Sequence, residues 1–416
     1  AKGNFLPSIN AQANHSWNIG LNQDITRGTL ENRTTQYTSM GANLSIDLYR
    51  GLRNLNQMHR ANLAILASQL QLEDMRDDIR LMVANSYLQI MFNIEILEVQ
   101  KSQLEVTKED ANRTQKMIES GIRIKADLLE IEATMASQEQ AVLIAENNLR
   151  LSKINLAQML LITDYDNFDI VVTDMDVPFA KILDQNPRKI YETALIHRND
   201  IKLLITNIEI AEKEVLLAKG SLQPNLEAFY GFNSRVSYAD RIIGNGVFND
   251  IPIGFLPSTN ESVLRSVEGT TTIGPTPFGE QFNLNKGHNL GLRLNIPIFN
   301  GNAARNNVER SKVNLLRQQN QLEQEKLNLE STINEAYNSA QGAYKLYEAS
   351  RKTALARNRA YKDAINRFEA GVINSFDFNQ IRQRFDVATS DVVRSKFDYI
   401  FKLKVLEFYF GLSITL

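Results

Sequence analysis

Little in this chain is equipped for chemistry. Cysteine is absent from its 416 residues, and histidine occurs four times, as His15, His59, His197 and His288. The histidines follow no metal-ligand spacing and read as surface residues. Without cysteine there is no disulfide, thiolate metal site or cysteine nucleophile. Gly244-Asn245-Gly246 opens no helix and lacks a following Gly-Lys, so it is no phosphate loop. The run Glu73-Asp74-Met75-Arg76-Asp77-Asp78 is acidic enough for a cation site, but Arg76 in its middle makes it a solvated helix face of mixed charge. No nucleophile, cofactor, metal or nucleotide constellation emerges, which argues against an enzyme. The net charge of −2 gives no reason to expect nucleic acid. The acids with the clearest context are Asp127 and Asp377. Each closes a Gly-x5-Asp turn, Gly121-Ile122-Arg123-Ile124-Lys125-Ala126-Asp127 and Gly371-Val372-Ile373-Asn374-Ser375-Phe376-Asp377. A glycine able to take a positive φ ends one helix. An aspartate where the next helix begins can cap its free N–H groups.

That turn occurs twice because much of the chain does. Gly41-Ala42-Asn43-Leu44-Ser45-Ile46-Asp47-Leu48-Tyr49-Arg50-Gly51 lines up with Gly291-Leu292-Arg293-Leu294-Asn295-Ile296-Pro297-Ile298-Phe299-Asn300-Gly301, an offset of 250 (291 − 41). The same offset, without a gap, carries Tyr87 onto Tyr337 and Gly121 onto Gly371. A unit of strand, very long helix, tight turn and long helix is therefore expected in two copies. The second copy is preceded by a helical stretch from about Arg188 to Lys219. The first is not, so a matching helix and any export signal are expected upstream of residue 1.

Four segments alternate with period two: Phe5 to Leu21, Met40 to Leu48, Leu222 to Phe232 and Leu290 to Ile298. Strands of about 9–11 residues with this alternation have the length to cross a membrane in a barrel. A half-buried strand of a soluble sheet has the same pattern. The strand pairs are joined by a short polar loop, about 22–38, and a long one, about 234–286, rich in Gly, Pro, Ser and Thr. Long loops without structure of their own are uncommon in compact domains but common on the outer face of outer-membrane barrels. Trp17, Tyr37, Tyr49, Phe229, Tyr230 and Phe299 are candidates for aromatic girdles at the membrane interfaces.

The helices are the other half of the pattern. Residues 54–119 contain neither Pro nor Gly, and 304–370 contain no Pro and one internal glycine, Gly342. Each stretch predicts roughly 100 Å of helix, too long for a globular core and suited to coiled-coil packing. Antiparallel return helices run to about Leu160 and Phe410. Between them, 161–187 breaks the pattern, with Ile170-Val171-Val172 as a possible small strand. No run of 18 apolar residues exists, so no membrane-spanning helix is expected. Four strands alone would leave both edges unsatisfied in lipid, so several chains must share one barrel if the strands span. The competing reading is a soluble coiled-coil scaffold with a small sheet.

Taken in order and in duplicate, these junctions resemble the TolC-type outer-membrane efflux ducts. The resemblance runs from Phe5-Leu6-Pro7-Ser8-Ile9 to Phe408-Tyr409-Phe410-Gly411. It rests on Leu6-Pro7-Ser8-Ile9 and Gln223-Pro224-Asn225-Leu226, on Ile296-Pro297-Ile298-Phe299-Asn300-Gly301 and its copy at Ile46 to Gly51, and on the two Gly-x5-Asp turns. It implies an α+β membrane protein: a homotrimer whose twelve-stranded outer-membrane β-barrel, four strands per chain, is continuous with a long periplasmic α-helical barrel. Residues 4–50 and 222–300 would supply the β-barrel strands, with extracellular loops at about 22–38 and 234–286. Residues 51–160, 188–221 and 301–411 would form the periplasmic helices, and 161–187 and 411–416 the equatorial and connecting segments. The implied role is a passive exit duct for tripartite efflux or type I secretion, with outer-membrane lipid, a periplasmic adaptor and an inner-membrane pump as partners. The resemblance implies that Gly121, Ile122, Gly371 and Val372 meet the adaptor. It also implies a periplasmic gate at Asp127, Asp377, Gln380, Phe368 and Ile373. Gln380 stands where the family has a second acid, and Phe368 and Ile373 replace its tyrosine and arginine, so the gate should be less charged.

Overall fold

A computed structural model describes residues 1–23, 30–173 and 181–412. In chain order its elements are β1 (Ser8–Gln23), β2 (Leu30–Arg50), α1 (Arg53–Glu119), α2 (Lys125–Met159), α3 (Pro187–His197), α4 (Asn199–Gly220), β3 (Asn225–Ser237), β4 (Arg241–Phe255), β5 (Ser262–Ile273), α5 (Phe278–Leu284), β6 (Gly287–Asn295), α6 (Ala303–Glu369) and α7 (Ser375–Tyr409). They fall into two compact units. One comprises Ala1–Asn62 and Ile210–Leu315; the other comprises Leu63–Glu209 and the residues from Leu316 onward.

The first unit carries a four-stranded antiparallel sheet of order β1-β2-β3-β6. Its register sorts side chains by chemistry. One face runs through Ile9, Leu44, Tyr230 and Leu290, with Ala11, Ala42, Phe232 and His288 in the next row. The other face runs through Asn10, Asn43, Gly231 and Asn289, then Gln12, Gly41, Asn233 and Gly287. The alternation read from the sequence thus becomes one apolar and one amide-rich face. Tyr37 and Phe229, grouped above with the girdle aromatics, stand on the polar face. Each lies under an arginine, Arg235 at 4.2 Å and Arg293 at 5.1 Å.

Two expectations for this unit are corrected. Leu30 to Thr38, assigned to a loop, belongs to β2 and pairs with β1; residues 24–29 of that loop lie outside the described residues. The 234–286 segment is built rather than open. It holds the end of β3, the β4–β5 hairpin and the short helix α5. Gly244, Pro252 and Gly254 disguised this hairpin, because they sit at register irregularities, where strands admit such residues. At both strand-to-helix junctions the chain makes two successive positive-φ residues, Gly51-Leu52 and Gly301-Asn302. At Gly51 a Cβ would lie 2.3 Å from the Gly220 carbonyl oxygen, so close backbone approach requires glycine there.

The second unit is helical. Helices α1 and α6 have 67 residues each, α2 and α7 have 35, and every pair of boundaries is 250 apart. Between α2 and α4 the chain does not form the small strand considered for Ile170-Val171-Val172. Ile170 packs beside Met91 and Phe397, and the Val171 carbonyl accepts a hydrogen bond from the Tyr87 hydroxyl at 2.8 Å rather than from a second strand. Tyr337, the offset partner of Tyr87, donates in the same way to the Leu183 carbonyl at 2.8 Å. The helical stretch expected from Arg188 to Lys219 is two helices broken at Arg198, whose guanidinium is held by the Asp200 carboxylate at 2.6 Å. Ile190, Ile201, Ile333, Tyr399 and Leu403 form the core there. Within the acidic run at Glu73 to Asp78, Arg76 pairs with Glu73 and Arg80 with Asp77. Among the described residues no cluster could hold a metal ion, and no helix is long and apolar enough to cross a membrane.

Candidate functional site at the helix-hairpin tips

Both tips are made the same way. Gly121 takes φ +74° and Gly371 φ +70°. The amide of Ile122 donates to the Met117 carbonyl and that of Val372 to the Arg367 carbonyl, each at 2.8 Å. These are paired helix stops in which the glycine supplies the left-handed residue. Neither glycine has a neighbour within 4 Å of where a Cβ would be, so conformation rather than space selects it.

The capping expectation is corrected. In α7 the cap is Asn374, whose Oδ1 accepts from the Asp377 amide at 2.8 Å. In α2 the cap position is Ile124, with no side-chain hydrogen bond. Asp127 and Asp377 lie two residues into their helices, where a carboxylate favours the positive helix end. Asp377 is exposed, as is Gln380. Asp127 is half-buried and accepts a hydrogen bond from the Ser375 hydroxyl at 2.5 Å.

The two tips are bolted together by a residue to which the sequence assigned no role. The Arg123 guanidinium is 11% exposed. It donates to the carbonyls of Phe368, at 2.9 Å, and Ile373, at 3.0 Å. It also lies over the Phe368 ring at 4.2 Å, with Asp127 3.9 Å away. A cation on the last carbonyls of α6 meets the negative end of that helix. Phe368 is buried, stacked on Phe378 at 4.6 Å, and Ile373 packs against the same cluster. The one sequence signal for Arg123 was a lone cation between Ile122 and Ile124 in an exposed turn.

About three turns from the tip glycines lies a buried polar network that sequence reasoning did not find. Asp110 of α1 and Arg382 of α7 pair at 3.2 Å, with side chains 5% and 2% exposed. Arg113 reaches Asp110 at 3.3 Å, and the Tyr361 hydroxyl of α6 donates to it at 3.4 Å. Tyr361 stacks on Phe385 at 5.2 Å. Gln138 of α2 donates to the Asp386 carboxylate at 3.5 Å, and Gln103 of α1 donates to the Asp386 backbone carbonyl at 3.0 Å. Burial pushes the Asp110 carboxyl above its usual range, with Arg382 and Arg113 opposing. Burial pushes Asp386 up to about 6, opposed by Arg382 and reinforced by the negative charge of Asp110. Burial and Asp110 also raise the Tyr361 phenol. All four long helices contribute, so the two hairpins cannot separate without exposing or unpairing a buried ion.

The tips also expose large apolar side chains. Ile122, Ile124, Val372 and Phe376 are each more than 60% exposed. The geometry therefore offers a fastened interior and exposed apolar side chains at both tips.

Comparison with known proteins places this arrangement. The family model described as outer membrane efflux protein matches residues 1–160 and 190–407. The chain belongs to that family. The resemblance drawn from the junctions and tips therefore holds. An outer membrane efflux protein is a transport channel and not an enzyme, and its place is the bacterial outer membrane, extending into the periplasm. No curated protein matches the chain by sequence. Several solved structures match by fold. The outer membrane protein VceC of Vibrio cholerae is 14% identical with a TM-score of 0.75, covering 100% of this chain and 89% of that one. The CmeC outer membrane channel of Campylobacter jejuni is 17% identical with a TM-score of 0.72, covering 99% and 78%. The open-state MtrE outer membrane channel of Neisseria gonorrhoeae is 15% identical with a TM-score of 0.70, covering 99% and 82%. At such identities the likeness is one of fold.

Proposed function

We propose that three copies of this efflux protein form one passive exit duct of a tripartite efflux or type I secretion system. The observation that carries this reading is the β1-β2-β3-β6 sheet. β1 and β6 are its outer strands, each paired with one neighbouring strand, and its faces divide into apolar and amide-rich. In lipid such edges must close on one another, and twelve strands from three chains make a barrel within the known range. The apolar face then meets lipid and the amide face lines water. Ducts of this family form trimers and work with periplasmic adaptors and inner-membrane pumps. The coincidence of α1 with α6 and α2 with α7 at an offset of 250 supports an internal duplication, with both hairpins contributing to a periplasmic tube.

At the tube's end, six tips per trimer would present Gly121, Ile122, Gly371 and Val372 to the adaptor. The exposure of Ile122 and Val372 supports docking, because apolar tips left in water are unfavourable. Asp377 and Gln380 are the exposed gate residues. Asp127, Phe368 and Ile373 act on the gate from within, as parts of the fastening between hairpins. The test is the mass of the full chain purified from membranes in detergent, followed by cross-linking from cysteines placed at Ile122 and Val372 to a co-expressed adaptor. A detergent-dependent trimer that cross-links supports the duct. A monomer soluble without detergent overturns the barrel, and a trimer that never cross-links at either tip overturns the docking assignment.

A further inference from the structure

The polar face of the sheet holds its charges unevenly. Among the described side chains it carries Asp47, Arg50, Glu227, Arg235 and Arg293. Four of these pair off near the junctions with the long helices: Arg50 with Asp47 at 3.2 Å, and Arg293 with Glu227 at 3.4 Å. Next comes a neutral zone of Asn10, Asn43 and Asn289, then Gln12 and Asn233. Beyond it, opposite Ser39, stands Arg235. No described carboxylate lies within ion-pair reach of it. Its guanidinium rests on the Tyr37 ring at 4.2 Å, which holds a cation in place without cancelling its charge.

The strand end that bears Arg235 is also locked. Past the end of β6, α5 takes over the free edge of β3. Asn285 donates to the Arg235 carbonyl at 2.7 Å, the Ser234 hydroxyl donates to the Phe282 carbonyl at 2.9 Å, and Gln281 accepts from the Ser237 amide at 2.9 Å. Phe282 also packs on Phe232. We infer that Arg235 is a specificity-determining residue, a fixed cation at the outer end of the lumen that favours anionic over cationic solutes there. The inference rests on the reading of this face as the lining of a trimeric barrel, in which the three copies of Arg235 would share one cross-section. A guanidinium stacked by one face keeps its N–H edge free for carboxylates and phosphates. Like charges around a narrow, water-filled opening reinforce one another's potential.

The chain has no cysteine, so one thiol can report that potential. Ser39→Cys puts it directly across from Arg235. In the detergent-solubilised full-length trimer, the rates of reaction with an anionic and a cationic methanethiosulfonate reagent are compared. Adding Arg235→Gln should lower the anionic-to-cationic rate ratio by about threefold or more, and Arg235→Lys should restore most of it. An unchanged ratio in the Arg235→Gln background overturns the inference while leaving the duct intact. A thiol that resists both reagents in the trimer yet reacts in denaturant is a different failure. It would mean that this face does not line open water, and the lumen reading would fall, taking the inference with it.

Discussion

The two helix tips share a backbone and divide the chemistry. The turns at Gly121 and Gly371 agree in φ and in hydrogen-bond length. Yet the first tip gives and the second receives: Arg123 reaches from the first to the carbonyls of Phe368 and Ile373. Among the described residues, the return hydrogen bond is that of the Ser375 hydroxyl on Asp127. The second tip caps its own helix through Asn374; the first has no side-chain cap. The two hairpins thus agree where local geometry dictates, while the side chains that act between them differ. The joint between the hairpins is therefore asymmetric, and one chain's tips can be loosened from either side with unequal effect.

The largest effect should come from below the tips, where the hairpins share a buried ion pair. Arg382→Met leaves Asp110 buried with only Arg113, itself partly exposed, and Tyr361. Removing one partner of such a pair costs about 3–5 kcal/mol. Chemical denaturation followed by helical circular dichroism should register a loss of that order. The double change Asp110→Asn with Arg382→Met should recover most of it. A double variant as unstable as the single one would mean that packing, not charge, dominates at this joint.

Next is the asymmetry itself. Arg123→Ala removes two charge-assisted hydrogen bonds and the contact with Phe368, a local loss of about 2–4 kcal/mol. Native-state hydrogen exchange should then speed up at residues 368–378 on the second tip more than on the first. Arg123→Lys should rescue little, because a point charge cannot serve two carbonyls and a ring at once. Equal loosening of both tips would show that the two hairpins are not fastened in the direction described.

How much of this was legible in the sequence follows the distance between partners. The long helices and glycine turns were readable because spacing over a few residues fixes them. Their bounds fall within a residue or two of the proline-free stretches. Asn374 was also readable, since Asn-x-x-Asp before an apolar run is a helix-start pattern, but the Gly-x5-Asp repeat drew the cap to Asp377 instead. The β4–β5 hairpin was hidden by glycine and proline that belong to its bulges. Arg123 and Phe368 lie 245 residues apart, and Asp110 and Arg382 lie 272 apart. Neither charge carries a periodic signal, so only the packed structure pairs them. The same holds for Asp386, whose perturbed carboxyl comes from burial that no local pattern reports.

Asp386 tests the joint by pH. Its folded-state value of about 6 stands above the ordinary 3.8. The folded chain therefore binds this proton more tightly than the unfolded one does. The contribution is full below the unfolded value and is lost as pH rises through about 6. Its size is on the order of 1–3 kcal/mol. Asp386→Asn should therefore stabilise the hairpins at pH 7.5, leave them little changed at pH 4, and flatten the slope between. The charged groups facing this carboxylate are Arg382 and Asp110, with Arg113 and Tyr361 beyond them. Arg382 opposes the shift, so a flat wild-type profile would mean that it dominates and that the carboxylate stays ionised throughout.

The smallest effect asks whether the tips can be made equal. Ile124 already has the extended backbone of a helix cap, φ −99° and ψ 156°, close to Asn374 at φ −83° and ψ 172°. It is 67% exposed, so replacing it leaves no cavity. Ile124→Asn should supply the missing acceptor and gain about 0.5–1 kcal/mol, while Asn374→Ala should lose about 1 kcal/mol. Thermal unfolding of the full chain would read both. If the first tip gains stability but loses the proposed cross-link to an adaptor, the uncapped isoleucine is kept for contact at the expense of local stability. If cross-linking is unchanged, Ile124 lies outside the proposed docking rim, which narrows to Ile122 and Val372.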